Sequence, residues 1–155
     1  MKSLTKAAVS MAVILFSMSV LAQPTPQEQA ERATELRQSI FKLLGSNFGP
    51  LRAMARGDIP VNPDLAEKAA TRISQLSLMI TDYFAYDTRA FDVETEALPV
   101  IWEESEAFSQ KASNLTEAAD AILTAVASGN TGAIQSAAGS LGQNCGGCHD
   151  DFRAD

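Results

Sequence analysis

Apolar residues recur every three to four positions along four separate stretches of this chain, and no stretch shows a convincing strict alternation. That spacing marks one face of an α-helix, and four such stretches without strands restrict the chain to helix-on-helix packing. The first runs from about Pro26 to Phe48, with Leu36, Ile40, Leu43 and Leu44 on its apolar stripe, and Gly49-Pro50 is expected to stop it. The second opens on Asn62-Pro63-Asp64, an N-cap followed by proline at the first helical position. It continues through Leu65, Ala69, Ile73, Leu76 and Ile80. The third starts near Pro99 and carries Ile101, Trp102, Phe108, Leu115, Ala119, Ile122 and Val126. Ser128-Gly129-Asn130 ends it and caps the fourth, which runs from about Thr131 through Phe152. Two connections, 49–61 and about 83–98, exceed what a minimal bundle needs. The second holds Tyr83, Phe84, Tyr86 and Phe91, which suits a loop packed across one end of the bundle. The expected fold is all-α, an antiparallel four-helix bundle in one domain.

The first 22 residues stand apart from this pattern. Lys2 and Lys6 precede an apolar run from Ala7 to Leu21, Val20-Leu21-Ala22 offers small residues for cleavage, and Gln23-Pro24-Thr25-Pro26 is polar. This is the layout of a cleavable export signal over 1–22, leaving 23–155 as the helical domain. A membrane anchor fits less well, because the run is short, holds Ser10, Ser17 and Ser19, and lacks a basic stop-transfer flank. The expected location is the periplasm, with no membrane span in the mature protein. Residues 23–155 keep ten basic and nineteen acidic side chains. With no Lys/Arg run, a nucleic-acid partner is not expected. A protein partner would present a basic face, associating faster at low salt.

The chain has two cysteines and one histidine, and all three fall within Cys145-Gly146-Gly147-Cys148-His149. Cys-x-x-Cys-His is the attachment sequence of c-type haem. Two thiols three positions apart share one helical turn and can each add to a vinyl group of the macrocycle. The following imidazole then lies beneath the iron as an axial ligand. A disulfide oxidoreductase would place its Cys-x-x-Cys after a strand in a βαβ unit, and this motif ends an all-helical chain. A zinc site would need a fourth strong ligand. A structural disulfide beside an accidental histidine leaves the clustering unexplained. Gly139, Gly142, Gly146 and Gly147 crowd the same helix. They would let a flat macrocycle approach the backbone, or equally let two helices pack closely.

With this motif at the C-terminal end, Leu36-Arg37-Gln38-Ser39 in the first helix, Ile101-Trp102 opening the third and Phe152-Arg153 after the motif, the chain resembles a cytochrome c′. Cytochromes c′ are themselves a standing example of the up-down bundle, so agreement in fold is not an independent finding. The resemblance covers the whole mature chain. It implies one haem c bound through Cys145 and Cys148, with His149 as the axial iron ligand. It implies that Arg37 meets a haem propionate and that Arg153 stands beside the proximal imidazole; read alone, each is a surface charge. Phe41, one turn after Arg37, would lie over the distal face of the iron, where low-spin members of the fold carry Met. Phenylalanine has no donor atom, so five-coordinate, high-spin iron is implied. As an apolar residue on the helix stripe, Phe41 is equally ordinary core. Met54 and Met79 are the only methionines after residue 22, and Lys42 the nearest amine, as candidates for a sixth ligand.

An apolar distal pocket without a hydrogen-bond donor disfavours O₂ and still admits NO and CO. Two functions follow: capture of nitric oxide by a binding protein, or Fe(III)/Fe(II) electron transfer, with a six-coordinate low-spin carrier as the alternative state. An enzyme is not expected. The resemblance also implies a homodimer through the first two helices, where Ala30, Ala33, Ala66, Ala69 and Ala70 would permit close packing, or else face the core.

Overall fold

The structure, a computed structural model, describes residues 23–154, so the expected leader over 1–22 lies outside the described residues. Helix α1 spans Pro26–Ala55. Thr25 caps it reciprocally: its hydroxyl accepts from Glu28 N, and the Glu28 carboxylate accepts from Thr25 N at 2.7 Å. The stop expected at Gly49-Pro50 does not occur, and α1 runs on through Pro50. Proline removes the donor to the Ser46 carbonyl and crowds it, costing about 3 kcal/mol. The turn beyond it buries Leu51 and Met54 completely. Each such side chain is worth about 1.5–3 kcal/mol on burial, so packing outweighs the local preference.

Helix α2 spans Pro63–Leu78, with the Asn62 side chain accepting from Leu65 N at 3.0 Å. The stripe expected to run unbroken to Ile80 is interrupted at Met79, and a five-residue α3, Ile80–Phe84, follows. The third expected helix is likewise split. A single turn, α4 (Val100–Glu103), precedes α5 (Ser105–Ala127), with Glu104 out of helical geometry at φ −114° and ψ 47°. The extra turn buries Ile101 and lets the Trp102 indole N–H donate to Phe84 O at 2.9 Å. Gly129, at φ +68°, makes the turn into α6 (Thr131–Phe152), and Asn130 caps it by accepting from Ala133 N.

The four long helices close a ring in which α1 and α5 each pack between α2 and α6. Ile40, Leu44, Ile73, Ile122, Ile134 and Leu141 fill its centre with Leu51 and Met54. Ala30, Ala66, Ala69 and Ala70 are buried inside the bundle, so they serve its own helix contacts. The connection after α3 crosses the bundle end and fastens to the tail of α6. Leu98 N donates to Phe152 O, Ala154 N donates to Glu96 O, and Ala97 forms an isolated antiparallel bridge with Arg153.

The α6 glycines divide by surroundings. A Cβ on Gly142 would lie 3.0 Å from Phe48 Cζ on α1, whereas one on Gly139 meets nothing within 4 Å. Gly142→Ala is therefore expected to lose stability, because overpacking costs about 1–3 kcal/mol against a propensity gain near 1. Gly139→Ala should gain about 0.8–1 kcal/mol. Urea unfolding of both holoproteins checks the contrast, and equal stability would mean that the Phe48 ring yields freely.

Candidate functional site

The N-terminal half of α1, the last turn of α6 and residues 92–97 of the long connection supply most of the wall of a cavity of about 920 Å³, and Phe84, Ile101 and Phe108 complete it. Thr34, Arg37, Gln38 and Phe41 share one face of α1 because they are spaced three and four apart. Cys148, His149 and Phe152 approach from α6, and Arg153 follows them. Cys145 sits one turn before Cys148, half-buried against the core beside the cavity rather than lining it. Thus His149, Cys148, Arg37, Phe41 and Arg153 meet at one place. None of Gly139, Gly142, Gly146 and Gly147 lines it, and the close approach at Gly142 is to another helix.

The cavity wall is a chain of aromatic rings. Phe41 meets Phe84 edge-on at 6.2 Å, Phe84 meets Phe108 at 4.8 Å, and Phe108 meets Phe152 at 5.3 Å and 85°. Phe41 is 39% exposed, which leaves a large apolar surface for a bound group to cover.

Arg37 is 3% exposed. Its Nε donates to Tyr83 O at 2.8 Å, Nη1 donates to Thr88 Oγ1 at 2.9 Å, and Nη2 donates to Tyr86 O. The guanidinium also stacks 4.6 Å from the Phe84 centroid and 5.3 Å from that of Trp102. Among the described residues no carboxylate makes an ion pair with it. Burial pushes its pKa down, with Asp87 opposing from a distance. A guanidinium has five N–H groups, so these three bonds leave two of them unused. Thr34 also borders the cavity, and its Oγ1 is buried without a hydrogen-bond partner.

On α6, burial followed by the Arg153 charge holds the His149 pKa down, against Asp150 and Glu96. That favours neutral imidazole, the form that ligates metal. Burial raises both thiols, and the Lys111 charge opposes it at Cys148. Lys111 also ties α5 to this segment, donating to Gly147 O at 2.8 Å and pairing with Asp151 at 2.7 Å. Arg153 is held by the connection, with Nε and Nη2 both on Glu96 Oε2 at 2.7 and 2.6 Å.

These residues fit a haem. The volume suits a single cofactor. Two thiols and an imidazole occupy consecutive turns, the wall is aromatic, and a buried cation lacks its anion. Of the candidate sixth ligands, only Lys42 borders the cavity. Met54 is fully buried thirteen residues beyond Phe41, about 20 Å along α1. Met79 is 37% exposed at the α2–α3 junction, and neither methionine borders the cavity, whereas Lys42 does. Sequence reasoning missed Thr34, although its place three before Arg37 and seven before Phe41 was a usable signal. It also missed Glu96 and the 92–97 wall, for which no periodicity exists.

The family model described as Cytochrome C' matches residues 32–153. The chain is 35% identical over 148 residues to "Cytochrome c-554" of Cereibacter sphaeroides, covering 94% of this chain and 95% of that one. It is similar in structure to cytochrome c prime from Shewanella frigidimarina, with a TM-score of 0.74, 30% identity, and coverage of 83% and 98%. A nitric oxide complex of a mutant cytochrome c prime from Alcaligenes xylosoxidans superposes with a TM-score of 0.71 at 25% identity, covering 81% and 97%.

Proposed function

Because the chain belongs to the cytochrome c′ family, whose members carry covalently attached haem c, we propose that it is a five-coordinate, high-spin haem protein that captures nitric oxide. The observation that carries this reading is the cavity wall: Phe41, which has no donor atom, stands there, and neither Met54 nor Met79 borders it. The haem supplies an iron that binds a gas and moves between ferric and ferrous states. Cys145 and Cys148 hold it, His149 presents neutral imidazole to it, and Arg37 offers its two spare N–H groups to a propionate. Arg153, fixed by Glu96, stands on the His149 side. Phe41 itself offers the distal side no hydrogen-bond donor, which disfavours O₂ while admitting NO and CO.

Absorption spectra of ferric and ferrous holoprotein, before and after NO and CO, test this. A high-spin spectrum that responds to both gases is expected. A low-spin spectrum indifferent to them would transfer the protein to the electron-carrier reading, with Lys42 as the first ligand to examine. Export of residues 1–22 and a periplasmic location belong to the same proposal. So does a redox partner with a basic face, supported by Glu31, Glu35, Asp92, Glu94 and Glu96 around the cavity. A homodimer is supported by Leu36 and Leu43, 42% and 51% exposed on α1. The buried alanines are not available to it.

A further inference from the structure

The end of α6 carries the attachment sequence, and local chemistry gives that segment little hold on a helical conformation. Gly146 and Gly147 lead into it, and glycine is the poorest helix former after proline. Asp150 and Asp151 close it, placing two carboxylates at the negative pole of the helix. His149 is the iron ligand of the haem reading, and Arg153 is committed to Glu96. Among the described residues of this segment, no cation is left to offset those carboxylates.

The missing charge comes from α5. Lys111 Nζ donates to Gly147 O at 2.8 Å and pairs with Asp151 Oδ2 at 2.7 Å. Gly147 O belongs to the peptide group that leads into Cys148. One contact therefore falls two residues before His149, and the other two residues after it. Residues four apart share one face of a helix, whereas the residue midway between them falls on the opposite face. The amine thus grips the back of the turn whose front presents the imidazole. Lys111 does not line the cavity, and neither does Gly147 or Asp151, so its hold is on α6. One turn earlier on α5, Phe108 meets the Phe152 ring at 5.3 Å and steadies the end of the same segment.

We propose that Lys111 is a positioning residue for the axial ligand: it clamps the last turn of α6 so that His149 presents its imidazole in one orientation. This deepens the haem-site reading and rests on it.

The test uses holoprotein carrying Lys111→Met, which keeps an unbranched stem without the amine, and Lys111→Arg, which keeps a cation able to reach both oxygens. In Lys111→Met, amide exchange across 150–153 should quicken by about tenfold through loss of the charge-assisted contacts, while exchange across 134–141 stays unchanged. In resonance Raman of the ferrous protein, the iron–imidazole stretching band should broaden in Lys111→Met, because the imidazole samples more orientations. Lys111→Arg should match the wild type in both. If exchange and band both hold in Lys111→Met, haem attachment alone fixes the turn and the proposal fails. Faster exchange with an unchanged band would make the clamp one of stability alone and overturn the positioning role. A shift in reduction potential with neither change would reduce Lys111 to a surface charge, which overturns it equally. So would changes as large in Lys111→Arg as in Lys111→Met, since they would trace to repacking of α5 on α6. The mass of the wild-type chain reports haem attachment independently. Failure at Lys111 is thus distinct from failure of the haem reading.

Discussion

Phe41→Ala is expected to speed CO association with the ferrous protein by roughly 10- to 100-fold. The ring stands on the cavity wall, edge-on to Phe84 at 6.2 Å. A gas reaching the iron on that side must displace it, giving up an aromatic pair worth about 0.5–1.5 kcal/mol together with some of its apolar contact. About 1.4–2.8 kcal/mol removed from the entry barrier is one to two powers of ten in rate. Helix α1 absorbs the change easily, because Phe41 is partly exposed and alanine is a better helix former. Flash photolysis of the CO complex gives the rate directly. An unchanged or slower rate would remove Phe41 from the distal side. Phe41→Met supplies the complementary result: a thioether at this position should convert the ferric spectrum to low spin and suppress CO binding. Failure of both variants would mean that the gas enters by a route Phe41 does not control.

The parts of this site that were legible in the sequence are those whose chemistry is local. Cys145, Cys148 and His149 declare themselves because attachment of a haem requires them within five residues, whatever surrounds them. The helix boundaries at Asn62 and at Gly129-Asn130 were equally local, since cap and turn chemistry act within three residues. Pro50 misled for the opposite reason. Its local cost is real, but the burial of Leu51 and Met54 that offsets it depends on the rest of the bundle. The interruptions at Met79 and Glu104 are also tertiary events, tied to where Phe84 and Trp102 come together. Residues 92–97 carry no helical or strand period, so their role as the third wall appears only once the chain has folded back on Phe152 and Arg153.

Arg37→Leu is expected to destabilise the holoprotein by about 2–5 kcal/mol, far beyond the ±0.5 typical of a solvated helix charge. The guanidinium is the acceptors' common partner. Without it, the carbonyls of Tyr83 and Tyr86 lose their donor, and so does Thr88, whose side chain is 2% exposed. Each acceptor left dry costs about 1–3 kcal/mol, partly relieved where water can reach the loop. Leucine recovers apolar contact with Phe84 and Trp102 and removes a buried charge, which holds the net loss below the simple total. Arg37→Lys separates charge from geometry. A lysine keeps the cation for a propionate but cannot span three acceptors with one ammonium, so it should lose about half as much stability. Urea unfolding gives the magnitudes, and hydrogen exchange across 83–91 shows where they act. If Arg37 served the cofactor alone, Lys would restore stability and the loop amides would stay protected in both variants. Faster loop exchange in both, with most of the stability lost in Leu, would establish that one side chain ties the α3 end to α1. Those three oxygen acceptors explain how the arginine is buried without a carboxylate of its own.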